Sequence, residues 1–410
     1  MLTETAHSLV SVSRRPTLIL IYTVTLTGIL SNSLVTPAIP NILDDFGMPA
    51  DAAGLLVAVG SLAGIVMAPI AGFLADRHGR RIVLTTCLVV FGVFGGLAAL
   101  APTFELLLAA RFLQGVGSAA LVNLAVVLIG DNWTGATRTK LIGRNSAVLT
   151  IGLAAIPLLS GVLTDAFGWR VSFAVYTVAL LTAAAAWLTL SDTGPVVRHS
   201  VREQFGDALR VFKDPVLMAS IISGFLVFVA IFGLFLTVLP VHLDEVFGLD
   251  AAQRGLVISL PAITASLASF NLGRIRLATS ARSIVVFSAL SLAVSYVTLG
   301  LTATLWVAVG AALLYGTSEG FFIPMLQDVN MEGAPDEHRG AVIAVWVGAA
   351  RLGQTVGPVL AGLALGLVGT SATFMIGAVI PVAILLIGLF GPFSRTRKQA
   401  APIEHRLSAD

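Results

Sequence analysis

The chain reads as long apolar runs separated by short polar turns. Twelve runs approach or exceed the roughly 20 apolar residues needed to cross a bilayer. They are 17–39, 52–75, 82–101, 104–130, 143–163, 170–190, 215–240, 252–272, 283–302, 305–327, 340–365 and 370–392. In lipid every backbone polar group must be paired within its own segment, so each run is predicted to be a helix. Mostly short connections make consecutive helices antiparallel neighbours. One longer polar stretch, 191–214, separates six helices from six. Within it Val201, Phe205, Leu209 and Phe212 recur at helical spacing and predict an amphipathic helix on the membrane surface. The expected organisation is a tail over 1–16, a bundle over 17–190, the linker 191–214, a second bundle over 215–392 and a tail over 393–410. The fold class is an all-α integral membrane protein.

The second bundle repeats the first. Phe46-Gly47 recurs 201 positions on as Phe247-Gly248, and at the same shift Gly54, Gly72, Gly115 and Arg138 meet Gly255, Gly273, Gly316 and Arg339. Gly152, Pro157, Gly161 and Gly168 then meet Gly353, Pro358, Gly362 and Gly369 without a gap. Fixed-period self-similarity marks a repeat architecture, and two parallel repeats about a central cavity are a secondary-transporter design.

Composition agrees with a membrane protein. Hydrophobic residues are 57% and charged residues 11%, against about 45–50% and about 25% in soluble domains. The lone Cys87 excludes a disulfide framework. No cleavable leader is expected, because residues 1–16 are polar and the following run is long enough to span. Basic residues set the orientation. With the N-terminus inside, the inner loops and tails hold 20 of the 24 Lys and Arg, and the outer loops only Arg170 and Arg254. That bias places both termini in the cytoplasm and the chain in the cell (inner or plasma) membrane.

The turn after the second helix reads Gly72-Phe-Leu-Ala-Asp76-Arg-His-Gly79-Arg80-Arg81. Gly72 would allow close helix approach, Gly79 a turn with positive φ, and Asp76 would face the N-terminal end of helix 11 near 336–340. The turn resembles the signature loop of the major facilitator superfamily. The resemblance covers essentially the whole chain: twelve helices, two halves, a central linker. It implies that Asp131 joins Asp76 and Arg80 in a charge cluster latching the two halves at the cytoplasmic side. The matching turn of the second half, from Gly273 to Arg282, has no aspartate, so the latch is expected to be one-sided.

Two further motifs are similar to those of the drug:proton antiporters in this superfamily. Arg111-Phe-Leu-Gln114-Gly115-Val-Gly117 looks like their helix-4 motif. A charge at that depth is costly, and it marks function unless it snorkels to the outer interface. In helix 5, Gly152, Pro157 and Gly161 resemble the glycine-proline motif, although Ile156 stands where a glycine is expected; the helix-11 copy, Gly353, Gly357, Pro358 and Gly362, fits better. Hinge or close-packing roles follow for both.

Three charges lie well inside predicted spans: Arg111, Glu319 and Arg351. Glu319 and Arg351 lie about 12 and 16 Å from the cytoplasmic ends of their helices, so a salt bridge between them is one expectation. A second is that Glu319 carries the coupled proton or contacts a cationic substrate. The acid that many drug:proton antiporters carry in helix 1 is absent: the stretch is Leu30-Ser31-Asn32-Ser33-Leu34-Val35-Thr36-Pro37. Asn32, Ser33, Asn123, Tyr315 and Gln327 are candidate neutral hydrogen-bond partners for a substrate, and Phe225, Phe228 and Phe232 a candidate aromatic wall. The halves differ at Asp76/Leu277, Arg111/Ala312, Glu319/Ser118 and Arg351/Thr150, which singles out those positions.

No GK[ST] phosphate loop and no metal-ligand spacing occurs, so no enzyme activity and no cofactor is expected, the proton gradient being the energy source. Expected partners are a small-molecule substrate, protons and the lipid bilayer, with no nucleic acid, and the chain is expected to be a monomer. The resemblance implies proton-coupled efflux of a hydrophobic or amphipathic compound. An importer or facilitator of a small metabolite on the same fold is the alternative, and a multi-pass membrane transferase a remote one.

Overall fold

The computed structural model describes residues 16–191, 214–334 and 339–395. The amphipathic segment Val201–Phe212, nearly all of the 191–214 linker, most of both tails and Asp336 lie outside the described residues. Eleven helical stretches among the described residues are long and apolar enough to cross a membrane. The first ten are α1 (Leu18–Phe46), α2 (Ala52–His78), α3 (Arg80–Ala99), α4 (Phe104–Asn132), α5 (Gly135–Phe167), α6 (Trp169–Thr189), α7 (Pro215–Phe247), α8 (Ala251–Ala278), α9 (Ala281–Leu301) and α10 (Leu305–Gly333). The eleventh stretch, Ala341–Phe390, is 50 residues long. That is too long for one crossing at 1.5 Å per residue, and Gly369 breaks it with a non-helical φ of 75°. The part before the break is α11 and the part after it α12, which makes twelve crossings.

The repeat is visible in the backbone. Gly168, which separates α5 from α6, has φ 84°, and Gly369 is its copy. Gly47 and Gly248 end α1 and α7 with the same φ of 62°. Only glycine takes such angles at little cost, so both halves turn at the same places by the same means. Helix starts are capped locally. The Asp214 side chain accepts from the backbone of Val216 and Leu217, and Asp250 forms a capping box with Gln253.

Most helices outrun the apolar run that predicts them. Hydropathy marks 143–163, yet α5 spans Gly135–Phe167, because backbone hydrogen bonding continues past the point where side chains become polar. No strand occurs among the described residues. Large apolar side chains such as Leu367 and Phe390, more than four-fifths exposed, point away from the core, as lipid-facing groups do.

Several helices are interrupted inside the membrane, among them α6, which carries a 3₁₀ turn at Val175–Thr177, and α8, which breaks between Ser259 and Pro261. The α-helix of α1 stops at Ser33 and resumes at Ile39 after a 3₁₀ turn, Thr36–Ala38. α4 breaks between Ser118 and Leu121. α7 widens into a π-helix over Ile231–Val238, a form that concentrates at functional sites.

The two halves meet along α2 with α11 and α5 with α8. We call the end of the bundle where α1 starts the proximal end and the opposite end distal. Distally the seam is glycine-lined and tight. A Cβ on Gly54 would strike the Pro358 carbonyl and Gly362, one on Gly161 the backbone of Ala251, and one on Gly255 the backbone of Pro157. Proximally the same four helices are apart: a Cβ on Gly72, Gly143, Gly273 or Gly348 would meet nothing within 4 Å. The close approach expected at Gly72 is therefore not made in this conformation. The halves are sealed at the distal end and splayed at the proximal end.

Candidate functional site

Arg111 is completely buried. Its Nη1 donates to the Ser31 carbonyl at 2.7 Å, to Gln114 Oε1 at 2.7 Å and, at the limit, to the Tyr176 hydroxyl at 3.5 Å. Nη2 donates to Asn32 Oδ1 at 3.3 Å. The α1 irregularity makes this possible. Leu34 N bonds back to Leu30 O, but Val35 N bonds to Asn32 O, so the register steps over the Ser31 carbonyl. That freed acceptor takes both Arg111 and the Tyr176 hydroxyl, the latter at 3.0 Å. Gly60 supplies the room, since a Cβ there would sit 2.7 Å from Nη2. The guanidinium thus turns inward to neutral acceptors rather than snorkelling to the outer interface. Asn32 serves Arg111 rather than standing free, and Ser33 is nearly buried.

Glu319 and Arg351 do not pair. Arg351 reaches out of its own half: Nη2 donates to the Ala119 carbonyl at 3.0 Å, and Nη1 lies 3.4 Å from Gln354 Oε1. Ala119 stands at the α4 break, where a carbonyl is free of the helical ladder, and Gly64 of α2 lies against the guanidinium. The expected salt bridge fails because α11 packs mainly on α2 and α7 and touches α10 little. Arg111 and Arg351 therefore act alike, each bound to a carbonyl released by an interrupted helix.

Glu319 stands at the middle of α10, 14 residues from either end. It keeps part of its surface accessible. The Tyr315 hydroxyl, one turn away, lies within hydrogen-bonding reach of its carboxylate. No cation pairs with Glu319 among the described residues. Tyr315 itself is buried and stacked on Phe235, centroids 3.9 Å apart and planes 3° off parallel. Its side chain is closed off from solvent in this conformation. Asn123 and Gln327 are exposed. Phe228 lies 6.3 Å from Phe232 and 5.9 Å from Trp346, so Trp346 belongs to the aromatic group that the spacing placed at Phe225, Phe228 and Phe232.

At the proximal end Arg80 bonds Asp76 at 2.5 Å and Asp131 at 3.1 Å. This cluster ties α2, α3 and α4 within one half, and among the described residues it makes no ion pair to α11. Gly79 has φ 89°. The second half has a cluster of its own: Arg276 bonds Asp328 at 3.3 Å and Glu332 at 3.1 Å. One-sidedness is therefore corrected. The turn itself still lacks an aspartate; both acids come from α10, Glu332 at the repeat position of Asp131 and Asp328 in addition.

The distal seam holds residues the sequence reading passed over. Arg254, almost wholly buried, donates through Nε to the Pro37 carbonyl at 3.1 Å and through its other nitrogens to Asp244, Asn41 and the Leu249 carbonyl. Asp165 at the end of α5 accepts from the Ala251 and Ala252 amides at 3.0 and 2.7 Å, capping α8 across the seam. One signal was available: Arg254 is one of only two basic residues placed in outer loops. Around this seam Gly152 lies against Leu26 and Ile29 of α1, and Gly353 and Gly357 lie on the backbone of α7 at Phe225 and Val229.

The description of the Major Facilitator Superfamily matches residues 21–341 and 233–407. The chain belongs to this superfamily. It is 25% identical over 358 residues to the bacillibactin exporter of Bacillus subtilis (strain 168), covering 83% of this chain and 88% of that protein. It is 28% identical over 254 residues to multidrug resistance protein 1 of the same organism, covering 60% and 64%. A hexuronate transporter is 28% identical over 186 residues, 45% of this chain and 44% of that one. Among solved structures, a bacterial homologue of the human lysosomal transporter Spinster, inward-facing and occupied, superposes with a TM-score of 0.77 at 17% identity, over 94% of this chain and 98% of that one. Superfamily membership makes the chain a multi-pass membrane transporter of small molecules and not an enzyme.

Proposed function

We propose that this transporter works by alternating access and exports a hydrophobic or amphipathic compound in exchange for protons, with Glu319 as the proton-carrying group. The observation that carries this reading is the state of Glu319. It is the one acid far from every helix end among the described residues, it lacks a cation, and it keeps accessible surface. A carboxylate in that position is costly unless it serves a pathway.

The basic-residue bias assigns the proximal end to the cytoplasm and the chain to the cell membrane. The conformation is then the inward-facing one, and the bundles 17–190 and 215–392 are the bodies that rock. On this assignment the Asp76–Arg80–Asp131 cluster engages the other half only when the proximal end closes. The chain acts as a monomer. The uncharged α1 stretch around Asn32 keeps one rival open, a facilitator or importer of a small metabolite.

The test is ethidium transport in proteoliposomes with an imposed pH gradient, comparing wild type with Glu319→Gln. Gradient-driven transport by the wild type and its loss in Glu319→Gln is the expected result. A variant that stays fully gradient-driven removes Glu319 from this role. Wild-type transport indifferent to the gradient favours the facilitator.

A further inference from the structure

Near the proximal ends of α10 and α11 lies a cavity of about 190 Å³, lined by Gln327, Asn330, Met331, Ile343, Trp346 and Val347. It adjoins a small apolar cluster, Leu217, Ile221, Ala334, Val342 and Trp346, that is separate from the main core. What sets it apart is its polar content. Asn330 is 2% exposed, yet neither Oδ1 nor Nδ2 has a hydrogen-bond partner. The Trp346 indole N–H, in a side chain also nearly buried, is unpaired as well. An unsatisfied buried polar group costs about 1–3 kcal/mol, and folded proteins keep few of them. Of these, the Asn330 carboxamide belongs to a residue lining the open space, whereas the Trp346 indole N–H lies against Gly224 of α7.

The space is the right size for an occupant. A cavity of about 150 Å³ holds benzene, and a water takes about 30 Å³ of liquid volume. The site therefore admits one aromatic ring with a small substituent, or a handful of waters. None of the six lining side chains is charged. The nearest acids along α10, Asp328 and Glu332, are engaged with Arg276. Among the described residues nothing lining the cavity would replace the hydration that a charged guest loses. Met331, Ile343 and Val347 offer apolar contact, and Trp346, backed by Phe228 at 5.9 Å, offers a ring.

From this we infer that the α10–α11 cavity is a binding site for a small neutral molecule that joins an apolar or aromatic body to an amide-like donor–acceptor pair, with the Asn330 carboxamide as its recognition group. The site lies apart from Glu319, about a helix-half away along α10, and holds whether or not transport is proton-coupled.

The test uses the full chain in nanodiscs with 5-fluorotryptophan at its five tryptophans, the Trp346 resonance being assigned by its loss in Trp346→Phe. Acetanilide is the probe. Benzyl methyl ketone, which lacks the donor, and isobutylbenzene, which lacks both polar groups, are the controls. Acetanilide is expected to shift the Trp346 resonance saturably and to bind about tenfold more tightly than the ketone, the ratio for one lost hydrogen bond. Asn330→Leu, close in volume and free of polar atoms, should abolish that preference while the empty protein melts no lower than wild type. Val347→Trp, which fills the cavity, should abolish the shift. Three results overturn the inference: no saturable shift, meaning water alone fills the cavity; equal affinity for isobutylbenzene, meaning simple partition; or an unchanged acetanilide preference in Asn330→Leu.

Discussion

Arg254 Nε donates to the Pro37 carbonyl at 3.1 Å, so the first turn of α8 is fastened to the end of α1 in the other half. Four acceptors converge on this guanidinium, two of them, Pro37 and Asn41, across the seam. A planar five-donor fork suits that task and a lysine would not. Opening the distal end must strip these bonds from a side chain that is 2% exposed. The distal-open population should therefore rise about tenfold or more in Arg254→Gln, equivalent to about 1.4 kcal/mol. Spin labels at Met48→Cys and Leu367→Cys, on opposite halves near the distal end, read the change as growth of the longer-distance peak. The native Cys87 is buried and leaves the labelling clean. An unchanged distance distribution would remove Arg254 from the latch.

Asp165 secures the same seam by a different interaction, a carboxylate on two amides at the start of α8. Charge at a helix N-terminus adds to the hydrogen bonds themselves. Asp165→Asn keeps one acceptor and loses the charge, so a smaller effect is expected, about 0.5–1 kcal/mol. Measured with the same labels, it should shift the population by no more than a few-fold, and less at high salt if exposed charge contributes.

The glycine seam gives an asymmetric prediction. A Cβ on Gly362 would come 2.5 Å from the Asp51 carbonyl and 3.0 Å from the Gly54 Cα, whereas one on Gly72 meets nothing. Backbone cannot yield as a side chain can, so Gly362→Leu should cost this conformation about 1–3 kcal/mol, as overpacking does. Gly72→Leu should leave its thermal stability unchanged and slow the transport cycle, because the proximal seam must close on it. Thermal unfolding in detergent together with transport rate separates the two. Equal melting losses would contradict the splayed proximal end.

Much of this architecture was legible in the chain. Apolar run length gives the crossings, and the 201-residue repeat gives Gly47/Gly248 and Gly168/Gly369, because both are local properties of side chain and backbone. The partners of buried charges were not legible, since they depend on where helices stop being regular. Nothing in Leu30–Pro37 announces that the ladder steps over the Ser31 carbonyl, and nothing at Ser118–Leu121 announces a free Ala119 carbonyl. Arg351 and Glu319 looked like a pair because the sequence gives similar depths along adjacent helices. It does not give the rotation that aims Arg351 at α4. Likewise Glu332 could have been found as the partner of Arg276 by carrying Asp131 through the repeat.

Arg351→Gln tests the cross-seam contact directly. The Ala119 carbonyl would lose its guanidinium donor, and a buried carbonyl without a partner costs about 1–3 kcal/mol. Arg351→Lys should recover part of that, as it keeps a donor but loses the fork. Melting temperature in nanodiscs reads both. If Arg351→Gln melts with wild type, the contact adds nothing to stability.

Arg111 and Tyr176 share one acceptor, and this makes their energies inseparable. Nη1 of Arg111 and the Tyr176 hydroxyl reach the Ser31 carbonyl at 2.7 and 3.0 Å. In Arg111→Leu the carbonyl still accepts from Tyr176, and in Tyr176→Phe it still accepts from Arg111. Only the double variant leaves it bare in a fully buried setting. The double variant should therefore be less stable than the sum of the two single losses by about 1–2 kcal/mol, the size expected when groups share a buried network. The Asn32 and Gln114 contacts are lost equally in Arg111→Leu and in the double variant, so they cancel from the coupling, while the marginal direct contact of Nη1 with the Tyr176 hydroxyl at 3.5 Å enters with the opposite sign and reduces it. Denaturation of all four proteins under one set of conditions yields that term. An additive cycle would mean that water or a backbone shift replaces both donors, and that the interrupted turn of α1 does not depend on them.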